Sequence, residues 1–234
     1  MRKRVAVRNR ILAGLPRKEY SRILPDLASV TFKSGQVLYE PGSVMHSAYF
    51  LDTAIASILS VAENGTSIEV SVVGDEGVIG IPIILGTHAL PYKVIVQAPG
   101  MAWRMKADVL QREFDRCGPL HKLVLHYLHT LIVVLSQSGA CNRFHSVQQR
   151  LCRWLLTSQD RARSSEIQST QELLSQTLGV NRGTASQAAS ALQRTGLIGY
   201  RRGRITILNR SGLETAACEC YRLVKGEFDR FFRA

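Results

Sequence analysis

The sequence predicts an α+β protein: an N-terminal antiparallel β-roll of the cupin-like jelly-roll kind, a long dimerisation helix, and a C-terminal winged helix-turn-helix. Three observations carry this expectation. Residues 30–105 alternate short apolar, β-branched runs with glycines at 35, 42, 65, 74, 77, 80, 86 and 100. A row of apolar residues at alternating steps of four and three follows Pro119. Residues 169–208 then hold two helical patterns around a glycine, followed by an arginine-rich hairpin. At 234 residues the chain exceeds the roughly 100–200 residues of one typical domain. The expected divisions are a sensor β-roll with N-terminal helices over 1–117, the dimerisation helix over 118–142, the winged domain over 143–211, and a terminal helix over 212–234.

Two short helices, Arg10 to Leu15 and Pro16 to Leu24, are expected first, because proline suits a first helical position. Strands follow in runs such as Tyr49-Phe50-Leu51, Ile68 to Val73 and Val94-Ile95-Val96. Pro119 can open the long helix, on which Leu120, Val124, Tyr127, Leu131, Val134 and Ser138, then Cys141, form a heptad seam. The first six are the expected dimer contacts. A second row, Leu123, Leu128, Ile132 and Leu135, implies two dry neighbours, one the β-domain and one a twin helix; a helix buried in a monomeric core is the alternative. From Phe144 another helix carries Val147, Leu151, Trp154 and Leu155 on one face and ends in a polar loop over 158–165.

The segment from Ser169 repays a residue-by-residue reading. Ser169 with Glu172 three positions on reads as a capping box, opening a helix to about Leu178. Gly179 supplies a positive φ for the stop, Val180 packs between helices, and Asn181 caps the next. In that second helix Ala185, Ala188, Ala189 and Leu192 form a close-packing face. Arg182, Gly183, Ser186 and Gln187 face the other way, a polar face uncluttered by acidic residues, as base-reading groups in a DNA major groove would be. Two strand-like runs, Leu197 to Tyr200 and Arg204 to Leu208, meet through Arg201-Arg202-Gly203. Arg201, Arg202 and Arg204 at such a tip suit phosphates, where they add salt-sensitive affinity without reading sequence.

Charge agrees with this placement. The net charge is +12, and lysine plus arginine outnumber aspartate plus glutamate 9 to 2 over residues 1–34 and 15 to 7 over 143–234, against 1 to 6 over 35–100. A polyanion partner therefore belongs at the C-terminal third. The longest apolar stretch, Leu123 to Leu135, is broken by His126, Tyr127, His129 and Thr130, so no membrane span is expected. Met1 to Arg4 is basic, but Arg8, Asn9 and Arg10 leave no apolar core for a signal peptide, and the expected location is the cytoplasm. Five scattered cysteines fit reduced thiols there.

On these residues the chain resembles the Crp/Fnr family over about residues 9–211. The resemblance is strongest in Leu178 to Thr184, in Gly196-Leu197-Ile198 and in the wing, with support from Gly35 to Gly42 and Tyr49-Phe50-Leu51. It implies a homodimeric transcription regulator that binds an inverted-repeat operator in double-stranded DNA, with RNA polymerase as a further partner. It also implies phosphate contacts from Thr170 and Gln171, with Asn181 and Thr184 beside them, and guanine reading by Arg182. Gly183 stands where many members carry glutamate, and Gln187 where the cyclic-AMP receptor protein has a second reading arginine, so the operator should differ. The sensor departs too. No glutamate follows Gly80, and Leu90 to Val94 lacks the arginine of the cyclic-phosphate cassette; Lys93 offers only a point charge. Gly77, Gly80, Lys93 and Tyr127 mark an effector pocket whose ligand is unidentified and is not expected to be a cyclic nucleotide.

No enzyme is expected: a cupin-type site needs clustered histidines and carboxylates, and the β-region has only His46 and His88. No cofactor or metal is expected either. His121, His126 and His129 have no acidic or thiol ligand at matching spacing, and Cys218-Glu219-Cys220 lacks a second pair for zinc. Oxidation sensing through Cys141 or Cys152 has no supporting pattern. The alternative to a DNA-binding regulator is a ligand-binding β-roll adaptor acting through protein–protein contacts.

Overall fold

The structure, a computed structural model, describes residues 7–231; the basic Met1 to Arg4 and the end of the expected terminal helix lie outside them. The chain divides into two compact units, one holding residues up to 58 together with 72–131, the other 59–71 together with 132 onward.

The first unit opens with α1 (Arg10–Ala13), α2 (Arg17–Ile23) and a 3-10 turn (Leu24–Asp26). Pro16 is the N-cap of α2 rather than its first helical residue. The buried Asn9 fastens this start, its Nδ2 donating to Leu51 O and Gly77 O, both at 2.8 Å, while its Oδ1 caps α1 at Leu12 N. The β-roll contains β1 (Ala28–Phe32), β2 (Val37–Tyr39), β3 (Ser47–Leu51), β4 (Ile55–Val61), β5 (Ser67–Val73), β6 (Val78–Ile79), the helical turn α3 (Ile81–Ile84), β7 (Lys93–Ala98) and β8 (Gly100–Lys106). Its strands form two four-stranded sheets, β1-β8-β3-β6 and β2-β7-β4-β5, the architecture expected. β8 pairs antiparallel with β1 from Ala28↔Arg104 to Phe32↔Gly100 and with β3 from Ser47↔Lys106 to Leu51↔Ala102. The register turns Ala48, Phe50, Trp103 and Met105 to one face, and all four are buried. Next come α4 (Ala107–Asp115) and the 26-residue α5 (Pro119–Phe144), which Pro119 opens as expected.

The row assigned to the dimer seam faces inward. Leu120, Val124, Tyr127, Val134, Ser138 and Cys141 are buried within one chain and Leu131 is half-buried. The large apolar residues α5 leaves exposed are Leu125, Ile132 and Leu135, with Leu128 half-buried between them, and Phe144 at its end. Both rows satisfy a heptad; within the single chain, packing buries the first and leaves the other exposed. The helix is also long and apolar enough, by length and composition, to cross a membrane, contrary to the expectation that no segment approaches this. Its inward row and its exposed His126 and His129 are those of a helix packed in protein.

The second unit contains α6 (Val147–Ala162), β9 (Glu166–Gln168), α7 (Gln171–Leu178), α8 (Arg182–Arg194), β10 (Ile198–Arg201), β11 (Arg204–Ile207), α9 (Arg210–Ala216) and α10 (Cys220–Phe231). A capping box of Ser146 and Gln149 starts α6, which runs five residues into the expected loop before Arg163 ends it in the left-handed region at φ 51°. The three-stranded sheet is ordered β10-β11-β9, and β9 is an element the sequence reading lacked. One core joins Leu151, Trp154 and Leu155 of α6, Leu174 and Leu178 of α7, Ala185, Ala189 and Leu192 of α8, Ile198 and Ile205 of the sheet, and Leu213 and Tyr221 beyond it. The terminal segment is two helices, not one, and both share this core rather than standing apart. Leu174 is fully buried at its centre. Leu174→Ala is expected to lower the free energy of unfolding by about 2–5 kcal/mol, read from the urea midpoint at unchanged m.

Candidate nucleic-acid interface

Helix α7 is capped one residue later than its sequence suggests. Thr170 is the N-cap, its Oγ1 accepting from Leu173 N at 3.1 Å. Ser169, the expected cap, is buried, and its Oγ has no hydrogen-bond partner among the described residues. The wing explains the shift. Ser169 N donates to Gly203 O at 2.8 Å, and Tyr200 Oη donates to Ser169 O at 3.1 Å, which ties Ser169 to the hairpin as extended chain. Burial pushes the Tyr200 phenol up from its ordinary value.

The turn itself follows the sequence. Gly179 closes α7 at φ 58°, in the left-handed region, and Asn181 caps α8, its Oδ1 accepting from Thr184 N at 2.9 Å and Thr184 Oγ1 at 3.1 Å. Ala185, Ala188, Ala189 and Leu192 are buried, which leaves Arg182, Gly183 and Gln187 exposed and Ser186 half-exposed on the outer face. In the hairpin, Arg201 pairs with Arg204 across a two-residue turn, Arg202-Gly203, with φ of 50° and 74°. Two positive φ values in sequence define the turn whose twist matches paired strands. Arg201, Arg202 and Arg204 are all exposed.

One open groove joins these parts: it is lined by Thr170, Gln171 and Glu172 at the start of α7, Arg182 at the start of α8, and Arg202 and Gly203 of the wing. The amide-rich starts of two helices and an exposed arginine pair thus converge on one surface, an arrangement suited to phosphate oxygens. Glu172 qualifies the expected absence of acidic residues. Released from the capping role, its carboxylate makes an ion pair with Arg182. Arg204 likewise pairs with Glu166, at 3.1 Å. Each pair is exposed, so each is worth at most about 1 kcal/mol and can open toward a stronger anion.

Gly77, Gly80 and Lys93, assigned to an effector pocket, each have a close neighbour. A Cβ added at Gly77 would lie 2.5 Å from Tyr127 Oη, so the buried tyrosine already fills the ground beside that glycine. One at Gly80 would meet Ala48 Cβ at 2.7 Å, and Lys93 pairs with Glu40 at 3.2 Å.

Residues 149–216 match the Crp-like helix-turn-helix domain family, and residues 29–117 match the cyclic nucleotide-binding domain family. The chain belongs to the Crp/Fnr family of transcription regulators. Its two matched regions span about two thirds of its length. Solved structures of the same fold include a Crp/Fnr-family protein from Eubacterium rectale, at TM-score 0.71 and 17% identity over 88% of this chain and 96% of that one. Another is the CRP-family transcriptional regulator TTHB099 from Thermus thermophilus, at 0.69 and 18% over 80% and 96%. The c-di-GMP responsive global regulator CLP of Xanthomonas campestris aligns at 0.67 and 14% over 82% and 99%. At these identities the likeness concerns the fold. No curated protein sequence matches the chain.

A second cluster went unseen in the sequence. Cys141 and His145, at i and i+4 about the end of α5, meet Cys218 and Cys220 from the break between α9 and α10. Cys218 and Cys220, expected to lack a second pair, receive one from more than 70 residues away in the sequence. The hydrogen bond between Cys141 and Cys218 pushes the Cys141 thiol up and pulls the Cys218 thiol down. The spacing of Cys141 and His145 on one helix face was the available signal.

Proposed function

We propose that this protein is a homodimeric DNA-binding regulator that grips an inverted-repeat operator, each α8 lying in a major groove. The groove shared by Thr170, Gln171, Arg182 and Arg202 is the observation that carries this reading. Arg182, Gly183, Ser186 and Gln187 read bases, with the arginine suited to a guanine and the glutamine to an adenine. Thr170, Gln171, Asn181, Thr184, Arg201, Arg202 and Arg204 serve phosphates. Thr170 Oγ1 and Asn181 Oδ1 already accept backbone hydrogen bonds, so they approach phosphate through their remaining donors. The twin helix of the dimer contacts the exposed row of Leu125, Ile132 and Leu135. RNA polymerase is the expected partner on DNA. The packing of Tyr127 on Gly77 and the pairing of Lys93 with Glu40 support an input other than a cyclic nucleotide.

Fluorescence anisotropy on a duplex selected from random sequence tests the reading. Affinity should fall steeply with salt, and a scrambled duplex should bind about 10³-fold or more weakly. Equal binding to both duplexes would refute it. Glu172→Gln removes the acidic partner of Arg182. It is expected to raise affinity for both duplexes by a few fold at low salt, an effect that shrinks as salt screens it.

A further inference from the structure

We infer that Cys141, His145, Cys218 and Cys220 form a structural zinc site that fastens the end of α5 to the junction of α9 and α10. Cys141 Sγ lies 3.5 Å from Cys218 Sγ, and Cys220 Sγ lies 3.5 Å from His145 Nδ1. The four ligand atoms all fall within 4.8 Å of one another. A tetrahedral zinc with Zn–S near 2.3 Å and Zn–N near 2.0–2.1 Å sets its ligand atoms about 3.6–3.8 Å apart. These two pairs already lie near that edge, and no separation exceeds it by more than about 1 Å, within reach of side-chain adjustment.

The surroundings are those of a metal site rather than of buried thiols alone. His145 turns Nδ1 toward the sulfurs and places Nε2 3.2 Å from Glu219 Oε1, so a carboxylate fixes the tautomer that leaves Nδ1 free to ligate. Gln137 Nε2 donates to Cys220 Sγ at 3.0 Å, a bond that supports a thiolate. Three thiolates around a dication leave one negative charge; Arg153 of α6 acts electrostatically on Cys141, and Cys141 on Arg150. Cys141, Cys218 and Cys220 are buried, and four protein ligands close the coordination sphere, which marks a structural site without an open position for catalysis. A disulfide between Cys141 and Cys218 would need its sulfurs about 2.05 Å apart and would leave His145, Glu219 and Cys220 with no shared purpose. Cysteine-bound iron–sulfur clusters take four thiolates in their ordinary form, whereas this set holds three and closes around one ion.

The test uses untagged full-length protein purified without chelator under reducing conditions, and measures metal by mass spectrometry and by cobalt(II) substitution. About one zinc per chain is expected, with tetrahedral cobalt bands and thiolate charge-transfer absorption after exchange. Cys218→Ser and His145→Gln should each lose most of the bound metal and the cobalt spectrum. Cys117→Ser, an exposed thiol outside the cluster, should keep both. Because a ligand variant can unfold, the wild-type protein is also titrated with zinc against a chromophoric chelator, and its thermal midpoint should rise on loading. Wild-type protein that stays folded and binds neither ion would overturn the site. So would retention of metal by the Cys141→Ser, Cys218→Ser double variant, or a Cys141–Cys218 disulfide in metal-free protein purified without air. None of these readouts involves DNA, so the site can fail while the operator reading stands.

Discussion

Arg182→Ala is expected to abolish most discrimination between the selected operator and a scrambled duplex while leaving residual, salt-sensitive binding. Each bidentate arginine–guanine contact carries about 1–3 kcal/mol of discrimination, and a dimer loses two of them, so the preference should fall by about 30-fold to 10⁴-fold. Folding should barely change, since Arg182 is exposed and its pair with Glu172 is a surface one. Arg182→Lys separates charge from shape: lysine keeps the phosphate attraction without the planar fork, so general affinity should return and discrimination should not. Anisotropy on both duplexes reads both quantities. Undiminished discrimination by Arg182→Ala would remove Arg182 from the reading face.

Ile132→Asp is expected to convert the dimer to monomers by light scattering. Ile132 is 55% exposed in the single chain, so an aspartate there is harmless to a monomer but would be buried against its own copy at a two-fold interface. Operator affinity should then fall toward that of one half-site, by about 10²–10⁴-fold, because the second contact is no longer intramolecular. Val134→Asp makes the contrast. Val134 faces the chain's own interior, so its replacement should lower the unfolding midpoint whatever the oligomeric state. A dimer that survives Ile132→Asp places the interface elsewhere.

Ile132 and Val134 lie two positions apart on α5, and their local sequence does not tell the exposed one from the buried one. Wherever local chemistry decides, the residues were legible: Gly179 must take a left-handed φ, Asn181 must cap α8, and Arg202-Gly203 must turn the wing. Two rows on α5 offered the same heptad signal, and only three-dimensional packing separates the inner one from the exposed one. Ser169 and Thr170 both carry a cap-forming hydroxyl, and the bond from Ser169 N to Gly203 O, some 34 positions along the chain, decides in favour of Thr170. The three-residue β9 has too few residues to display a period, and exists because β11 pairs with it from Arg204↔Gln168 to Thr206↔Glu166. The cysteine cluster is the extreme case, since its halves lie more than 70 residues apart in sequence with α6, the winged core and α9 between them.

Selection of random duplexes by the purified protein tests the central claim most directly. The account predicts enrichment of an inverted repeat whose half-sites are centred about 10–10.5 base pairs apart, the spacing set when two copies of α8 enter successive major grooves on one face of the duplex. Enrichment of a single half-site, of a direct repeat, or of no sequence at all would contradict it.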